Sequence, residues 1–331
     1  MRSDRPLRAA VVGAGLMGRW HAEAIARAGG IVSVLVDSDC RRAASLASRH
    51  AGAHVIASFE DAARLGPVDV AHVCTPRETH ESLARQALQA GMHVLVEKPM
   101  TPTAGATAEL LQLADSRGLL LCAAHQLLFQ PGVLRARAAL HSIGPLLHVD
   151  AVACSAGADN HADHERDRVA ADILAHPLSL LARILPEPLA EVDWRLQHPI
   201  AGEVWATASV GYVSVSVLVS MRGRPTRNTL RLIGGRGTIH VDLFHGFHVV
   251  EGGTVSRGRK VARPLMLSAA TLRAAATNLV SRAFRREVAY PGLRELVRRF
   301  YRAIERGSGP PISPPELLDT AAARDALIAM M

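Results

Sequence analysis

Lysine is nearly missing from this chain: of 38 basic residues only Lys98 and Lys260 are lysines, and arginine supplies the rest. Arginine is a permanent cation, whereas a lysine ammonium can shift its pKa and trade a proton, so a lysine kept in such a chain asks for a chemical task. Cysteine is scarce too. Cys40, Cys74, Cys122 and Cys154 stand more than 30 residues apart with no Cys-x-x-Cys pair, which excludes a disulfide scaffold and a cysteine zinc site. No run reaches the ~20 apolar residues that a spanning helix needs. The most apolar stretch, 119–129, is interrupted by His125 and Gln126. The first residues run from Met1 through Arg2, Asp4 and Arg5 into an apolar stretch at Leu7, without the ordered regions of a secretory signal. A cytoplasmic protein with no membrane partner is the expectation.

What is present is globular. The chain has 331 residues, 49% hydrophobic and 21% charged, with 26 Gly and 18 Pro, a composition that suits two domains and neither disorder nor collagen. The formal charge is +8, and residues 251–331 hold 14 basic against 7 acidic residues. In that region Leu293, Leu296, Val297, Phe300, Tyr301 and Ile304 recur at helical spacing, leaving Arg294, Arg298, Arg299, Arg302 and Arg306 on the other face. The pattern predicts a docked helix with a solvated arginine face, and no nucleic-acid motif accompanies it.

Short β-branched runs at 7–12, 31–36, 53–56, 68–74, 92–96 and 119–123 alternate with helical stretches, the mark of βαβ units and a doubly wound parallel sheet. Beyond about residue 145 the pattern changes. Val213, Val215, Val217 and Val219 alternate with Ser214, Ser216, Leu218 and Ser220, and runs at 189–196, 203–210, 229–233, 238–243 and 247–251 predict a large, mostly antiparallel sheet. Helices are predicted at 267–285, 292–306 and 314–329, and Arg257 to Arg263, with Lys260, reads as a basic loop. The α/β reading is a Rossmann domain over 1–125 and an α+β domain over 126–331, the last helices packing back on the first domain.

Gly13-Ala14-Gly15-Leu16-Met17-Gly18 follows a predicted strand and opens a predicted helix, and Asp37 closes the next strand. Together these form a dinucleotide-binding fingerprint. Gly13 permits the tight turn, Gly15 lets backbone approach a pyrophosphate, and Gly18 lets helix and strand pack closely. Asp37 would bind the ribose hydroxyls and repel a 2′-phosphate, favouring NAD(H); Arg41 and Arg42 nearby keep NADP(H) open. Thr75-Pro76 and Lys98-Pro99 end two strands at the carboxyl edge where such sheets bind ligands.

Gly13 to Gly18 with Arg19-Trp20-His21, Thr75-Pro76 with His80, and Ala90-Gly91-Met92-His93-Val94-Leu95-Val96-Glu97-Lys98-Pro99 resemble the Gfo/Idh/MocA family. The resemblance covers most of the first 130 residues closely and the rest by pattern. It implies a Rossmann domain followed by a domain whose open sheet often forms an oligomer interface, and oxidation or reduction at a hydroxyl-bearing carbon of a sugar, polyol or related small molecule. It implies that Lys98 contacts the reacting hydroxyl, where an ammonium can stabilise developing negative charge. Asp172-Ile-Leu-Ala-His176 resembles the family's Asp-x-x-x-His, with His176 as general base or acid and Asp172 fixing its tautomer. Their spacing is also that of any polar helix face. The cofactor surface is expected from Gly13, Gly15, Leu16, Met17, Gly18, Asp37, Ser38, Arg42, Thr75, Pro76, His80, Glu97, Lys98 and Gln126; for His80 a capping or packing role competes evenly.

The chain departs from the family where Val169-Ala170-Ala171 replaces a glycine cluster and Leu128-Phe129 an arginine-phenylalanine pair, which bears on substrate rather than reaction type. Asn160 to Glu165, rich in His and acid, reads as a loop and not a metal site. The partners expected are a small-molecule substrate and a second copy in a dimer or tetramer. Two rival functions stand beside this one: a variant that recycles tightly bound NAD during glycoside cleavage or elimination, and a non-catalytic cofactor-binding sensor.

Overall fold

The computed structural model describes residues 5–253, 256–287 and 289–331, and no side chain of 63–65. Its contacts divide the chain into two units, the first running to Gln126 and including Gly292–Ala321, the second comprising Leu127–Pro291 and Ala322–Met331. The sequence reading took 126–331 as one domain whose last helices pack back on the first.

The first unit is built on six parallel strands: β1 (Arg8–Val12), β2 (Ile31–Val36), β3 (His54–Ile56), β4 (Val70–Val73), β5 (His93–Val96) and β6 (Leu121–Ala123), in the order β3-β2-β1-β4-β5-β6. Helices α1 (Leu16–Arg27), α2 (Cys40–Ala47), α3 (His80–Gln89) and α4 (Ala104–Ser116) provide crossovers. All four residues of β4 are buried, as are the last four of β1. Continuous burial follows because helices cover both faces of a parallel sheet, so polar alternation has no place there. The strand order reverses between β1 and β4, and their carboxyl ends lead into the Gly13 turn and Thr75.

The second unit holds α5 (Pro131–Ala138), β7 (Leu146–Cys154), α6 (Asp163–Ile184), β8 (Arg195–Gln197), β9 (Glu203–Val210), β10 (Val213–Ser220), β11 (Arg227–Gly234), β12 (Gly237–Asp242), β13 (Phe247–Gly252) and α7 (Arg257–Phe284). Its seven strands run in the order β13-β12-β11-β7-β10-β9-β8, antiparallel except for the pair β7 and β10. The predicted alternation in β10 is real: all four valines are buried, with α6 against that strand, while Ser214 is exposed.

Three expectations need correction. β7, at the centre of the second sheet, was not foreseen, because its sequence Leu-Leu-His-Val-Asp-Ala-Val-Ala-Cys is short on turn signals and on strict period two. The run 189–196 is a strand only from Arg195; Leu189–Glu191 is a 3-10 turn behind Pro188, and Trp194 Nε1 donates to Leu189 O at 3.4 Å. The basic segment 257–263 is the first two turns of α7 rather than a loop, capped by Ser256 Oγ, which accepts from Arg259 N at 3.3 Å.

Helix α8 (Pro291–Arg306) buries Leu293, Leu296, Val297, Phe300 and Tyr301, as its periodicity predicts. On its other face Glu295 accepts from both Arg298 Nε and Arg299 Nε at 2.7 Å, so part of the arginine excess is answered within the helix. Helix α9 (Pro314–Ile328) starts at Ser313, whose N–H and hydroxyl donate to Glu316 Oε2 at 3.0 and 2.8 Å. Phe300 is fully buried, and Phe300→Ala is expected to cost about 3–5 kcal/mol, read as a lower urea midpoint.

Candidate active site

Gly13 adopts φ +97°, a left-handed conformation that favours glycine, and a Cβ there would come within 2.7 Å of Cys74 O. A Cβ on Gly18 would fall 1.8 Å from Gly13 O. Gly15 differs: nothing lies within 4 Å of the place its Cβ would take. Two glycines therefore serve packing, and the third borders open space at the start of α1. That helix carries neither a side-chain cap nor an acid in its first turn, so the N–H groups of Leu16, Met17 and Gly18 present a positive end suited to a phosphate. Leu16 is itself exposed.

Asp37 closes β2. Its Oδ2 accepts from Ala14 N at 2.8 Å and its Oδ1 from Asp39 N at 2.9 Å, which ties the carboxylate to the glycine turn. The Arg42 guanidinium lies 3.8 Å from Asp37 Oδ2, and Ser38 beside it is exposed. Further along the edge, Thr75 Oγ1 accepts from Thr79 Oγ1 at 2.7 Å, and Pro76 opens a 3-10 turn. His80 is fully buried, with Nδ1 2.7 Å from Pro99 O and Nε2 2.8 Å from Thr75 O. The ring thus bridges the turns after β4 and β5, a neutral imidazole having one N–H to donate to either carbonyl. This is the packing role that the sequence reading set evenly beside a cofactor contact.

Glu97 and Lys98 follow β5. Lys98 is half-buried, and the Lys98–Pro99 peptide is cis. Glu97 is buried and turned inward: its Oε1 lies 3.1 Å from His21 Nε2 and its Oε2 accepts from Lys98 N at 3.2 Å. Glu97 was also expected at the cofactor; its carboxylate bonds to protein groups in the first unit. Burial pushes its pKa up, but the bond and charge of His21 with the charge and N–H of Lys98 outweigh this, leaving it below the usual carboxylate value.

The chain of bonds continues inward. His21 Nδ1 lies 2.8 Å from His72 Nδ1, and His72 Nε2 lies 3.0 Å from Tyr301 Oη. One proton arrangement satisfies all three contacts with neutral imidazoles. The Glu97 carboxylate only accepts, so His21 Nε2–H donates to it; His21 Nδ1 then accepts from His72 Nδ1–H, and His72 Nε2 accepts from the Tyr301 hydroxyl. Burial, then the neighbouring His21, pushes the His72 pKa well below its ordinary value; burial, then the charge of Asp69, raises that of Tyr301. Both shifts keep His72 and Tyr301 uncharged. The sequence reading saw His21 only within a motif and Tyr301 only as part of an apolar stripe, and it passed over His72. A histidine inside the fully buried run Val-Ala-His-Val was the available signal.

Gln126 ends the first unit. Its Oε1 is buried without a hydrogen-bond partner among the described residues, an orphaned acceptor that fits a ligand amide. With the open space at Gly15 and the positive end of α1, the residues present fit a nicotinamide dinucleotide.

In the second unit Asp172 and His176 lie one turn apart on α6, both partly exposed. The buried Arg324, from α9, places its guanidinium 3.9 Å from Asp172 Oδ1 and donates from Nε to Ala171 O at 3.4 Å. The sequence reading missed Arg324. Asp163 begins α6, so the second half of the predicted 160–165 loop is helical. Among the described residues no group of three or more His, Cys, Asp or Glu could hold a metal, and no helix is long and apolar enough to cross a membrane.

This parallel sheet, with its glycine turn and the acid after the next strand, has the form of a dinucleotide-binding Rossmann unit, and the second unit carries a mostly antiparallel sheet. Residues 7–125 match the oxidoreductase family with an NAD-binding Rossmann fold, Gfo/Idh/MocA. Over these residues the chain is similar to that family. Inositol 2-dehydrogenase of Corynebacterium glutamicum (strain R) is 35% identical over 112 residues, 33% of each chain, so the match spans about a third of that relative. Two solved structures share the whole fold. The WlbA dehydrogenase from Bordetella pertussis in complex with NADH and UDP-GlcNAcA has a TM-score of 0.77 at 18% identity, covering 98% of this chain and 95% of that one. KijD10, a 3-ketoreductase from Actinomadura kijaniata in complex with NADP, has a TM-score of 0.73 at 19% identity, covering 98% and 97%.

The histidine chain makes an acid-stability prediction. His72 binds its proton less readily folded than unfolded, so the stability it carries at neutral pH is lost as pH falls below the ordinary 6.5. Glu97, also lowered, adds a loss below its ordinary 4.5. The urea midpoint should drop on acidification from about pH 7 to about pH 5.5, and His72→Asn should flatten that slope.

Proposed function

We propose that this protein is a nicotinamide-dependent oxidoreductase acting on a hydroxyl-bearing carbon, or the corresponding carbonyl, of a sugar, polyol or related small molecule. One observation carries the reading. The half-buried Lys98 stands at the end of β5 next to the ionised Glu97, on the same carboxyl edge as the glycine turn. The bound dinucleotide supplies the redox chemistry by taking or giving hydride at its nicotinamide ring. The chain itself orients the reactants and handles the proton.

Gly13, Gly15 and Gly18 let backbone approach the pyrophosphate, with the N–H groups of Leu16 and Met17 directed to it. Asp37, with Ser38 and Arg42 alongside, receives the adenosine ribose. A carboxylate at that position repels a 2′-phosphate, so NAD(H) is favoured over NADP(H). Thr75 and Pro76 border the cofactor, and Gln126 Oε1 accepts from its carboxamide. Lys98 donates to the substrate oxygen and stabilises the negative charge that develops there. His176 takes the hydroxyl proton in oxidation and returns it in reduction, and Asp172, steadied by Arg324, orients the ring.

The protein works in the cytoplasm as a homo-oligomer, without a nucleic-acid partner. The face of the second sheet that carries Ser214 and Ser216 supports self-association. It exposes Trp205, and beside it Val152, Ile200 and Leu218 line a trough of about 790 Å³.

Lys98→Met is expected to leave the NADH dissociation constant within about threefold while lowering kcat/KM by roughly 10²–10⁴. NADH fluorescence titration and a sugar, polyol and hydroxy-acid panel followed at the nicotinamide band measure both. Full activity in the variant overturns the assignment. In the same titration NADH should bind at least about tenfold tighter than NADPH, and Asp37→Asn should narrow that gap.

A further inference from the structure

Helix α7 inverts the usual order of an amphipathic helix. Such a helix turns its apolar stripe to the core and its polar face to water. Here Val261, Leu265, Leu272 and Leu279, spaced by 4, 7 and 7 and so on one face, are 83%, 77%, 72% and 70% exposed. Ala269 and Ala276 lie between them and Ala283 beyond, all exposed, as are Val280 and Phe284 at the end of the helix. The opposite face lies against β13 and is held there by polar bonds. Asn278, the one buried residue described in the helix, donates from Nδ2 to His245 O at 2.9 Å, and Arg282 Nη1 donates to the same carbonyl at 3.2 Å. Arg263 pairs with Glu251 of β13. Removing the outward leucines would cost the fold little, so their presence calls for a partner outside the chain.

Charge decides which partner. The helix contains Arg257, Arg259, Lys260, Arg263, Arg273 and Arg282 and no acidic residue, and Arg285 and Arg286 follow directly. A second copy of α7 would bring the same cations and no acid to meet them, so self-pairing along the stripe is opposed by like charge. A flat anionic surface with an apolar interior complements both features: basic groups at both ends and along the flanks reach headgroups while the leucines enter the acyl boundary. From 261 to 284 the stripe runs about 36 Å, all of it facing outward. We propose that α7 docks the protein in the plane of an anionic phospholipid membrane surface, without crossing it. The expectation of no membrane partner came from the lack of an apolar run long enough to span and from the reading of 292–306 as a docked helix, whose apolar face is buried; neither bears on surface docking by α7.

The test is co-sedimentation of the full-length protein with phosphatidylcholine vesicles, with and without about a third phosphatidylglycerol. Binding is expected only to the anionic vesicles at low salt, and weaker by roughly tenfold or more in about 0.5 M salt. The triple variant Leu265→Gln, Leu272→Gln, Leu279→Gln should lose that binding by a similar factor while keeping its urea midpoint and NADH affinity, as should Arg257→Gln with Lys260→Gln. Absence of binding, or equal binding to neutral and anionic vesicles, overturns the proposal. So does a wild-type oligomer that the triple leucine variant dissociates without any lipid binding, which would assign the stripe to a second copy.

Discussion

Four side chains from four elements meet inside the first unit and complete one another's hydrogen bonding. His21 of α1, His72 of β4, Glu97 at the end of β5 and Tyr301 of α8 form a single donor-to-acceptor series ending on a buried carboxylate. A buried ionised acid is costly unless every acceptor site is served. Here the cost is offset by the imidazole on Oε1 and the Lys98 N–H on Oε2. Glu97 therefore fixes the backbone at the residue proposed to meet the substrate. The position of Lys98 depends on a polar interior as well as on its strand.

The same carboxyl edge shows a division of labour. His80 and Glu97 look like ligand groups by position, yet their polar atoms face protein. The groups proposed to face a ligand are the backbone N–H groups at the start of α1, the carboxylate of Asp37, the ammonium of Lys98 and the amide of Gln126. The edge is mostly a rigid scaffold with few reaching side chains, which is how a site holds geometry without flexible contacts. In the second unit Arg324 does for Asp172 what His21 does for Glu97: a buried partner holds a carboxylate at its place in the fold.

The Rossmann half was legible because its signals are local. Gly13 and Gly18 announce backbone contacts within a few residues, and continuous apolar strands announce a covered parallel sheet. The second half was harder to read. β10 shows period two because one face meets α6 and the other is open, whereas β7, between β10 and β11, carries His148 and Asp150 among its apolar residues and hides its period. The inner polar series was illegible for a different reason: a histidine and a tyrosine far apart in sequence share nothing until the fold brings them together. For α7 the periodicity gave the helix but not its facing, since an apolar stripe reads the same whether it turns inward or outward.

Tyr301 and His72 are separated by 229 positions along the chain, and this spacing bears on how the first unit is made. On the ribosome all six of its strands emerge long before Tyr301. Until α8 arrives, the acceptor on His72 has only water to bind, in a region that must become dry. A fragment stopped at Gln126 would contain every strand of the nucleotide-binding sheet and still have an unfinished interior. The boundary that looks natural in sequence is thus not a place where the protein can be cut.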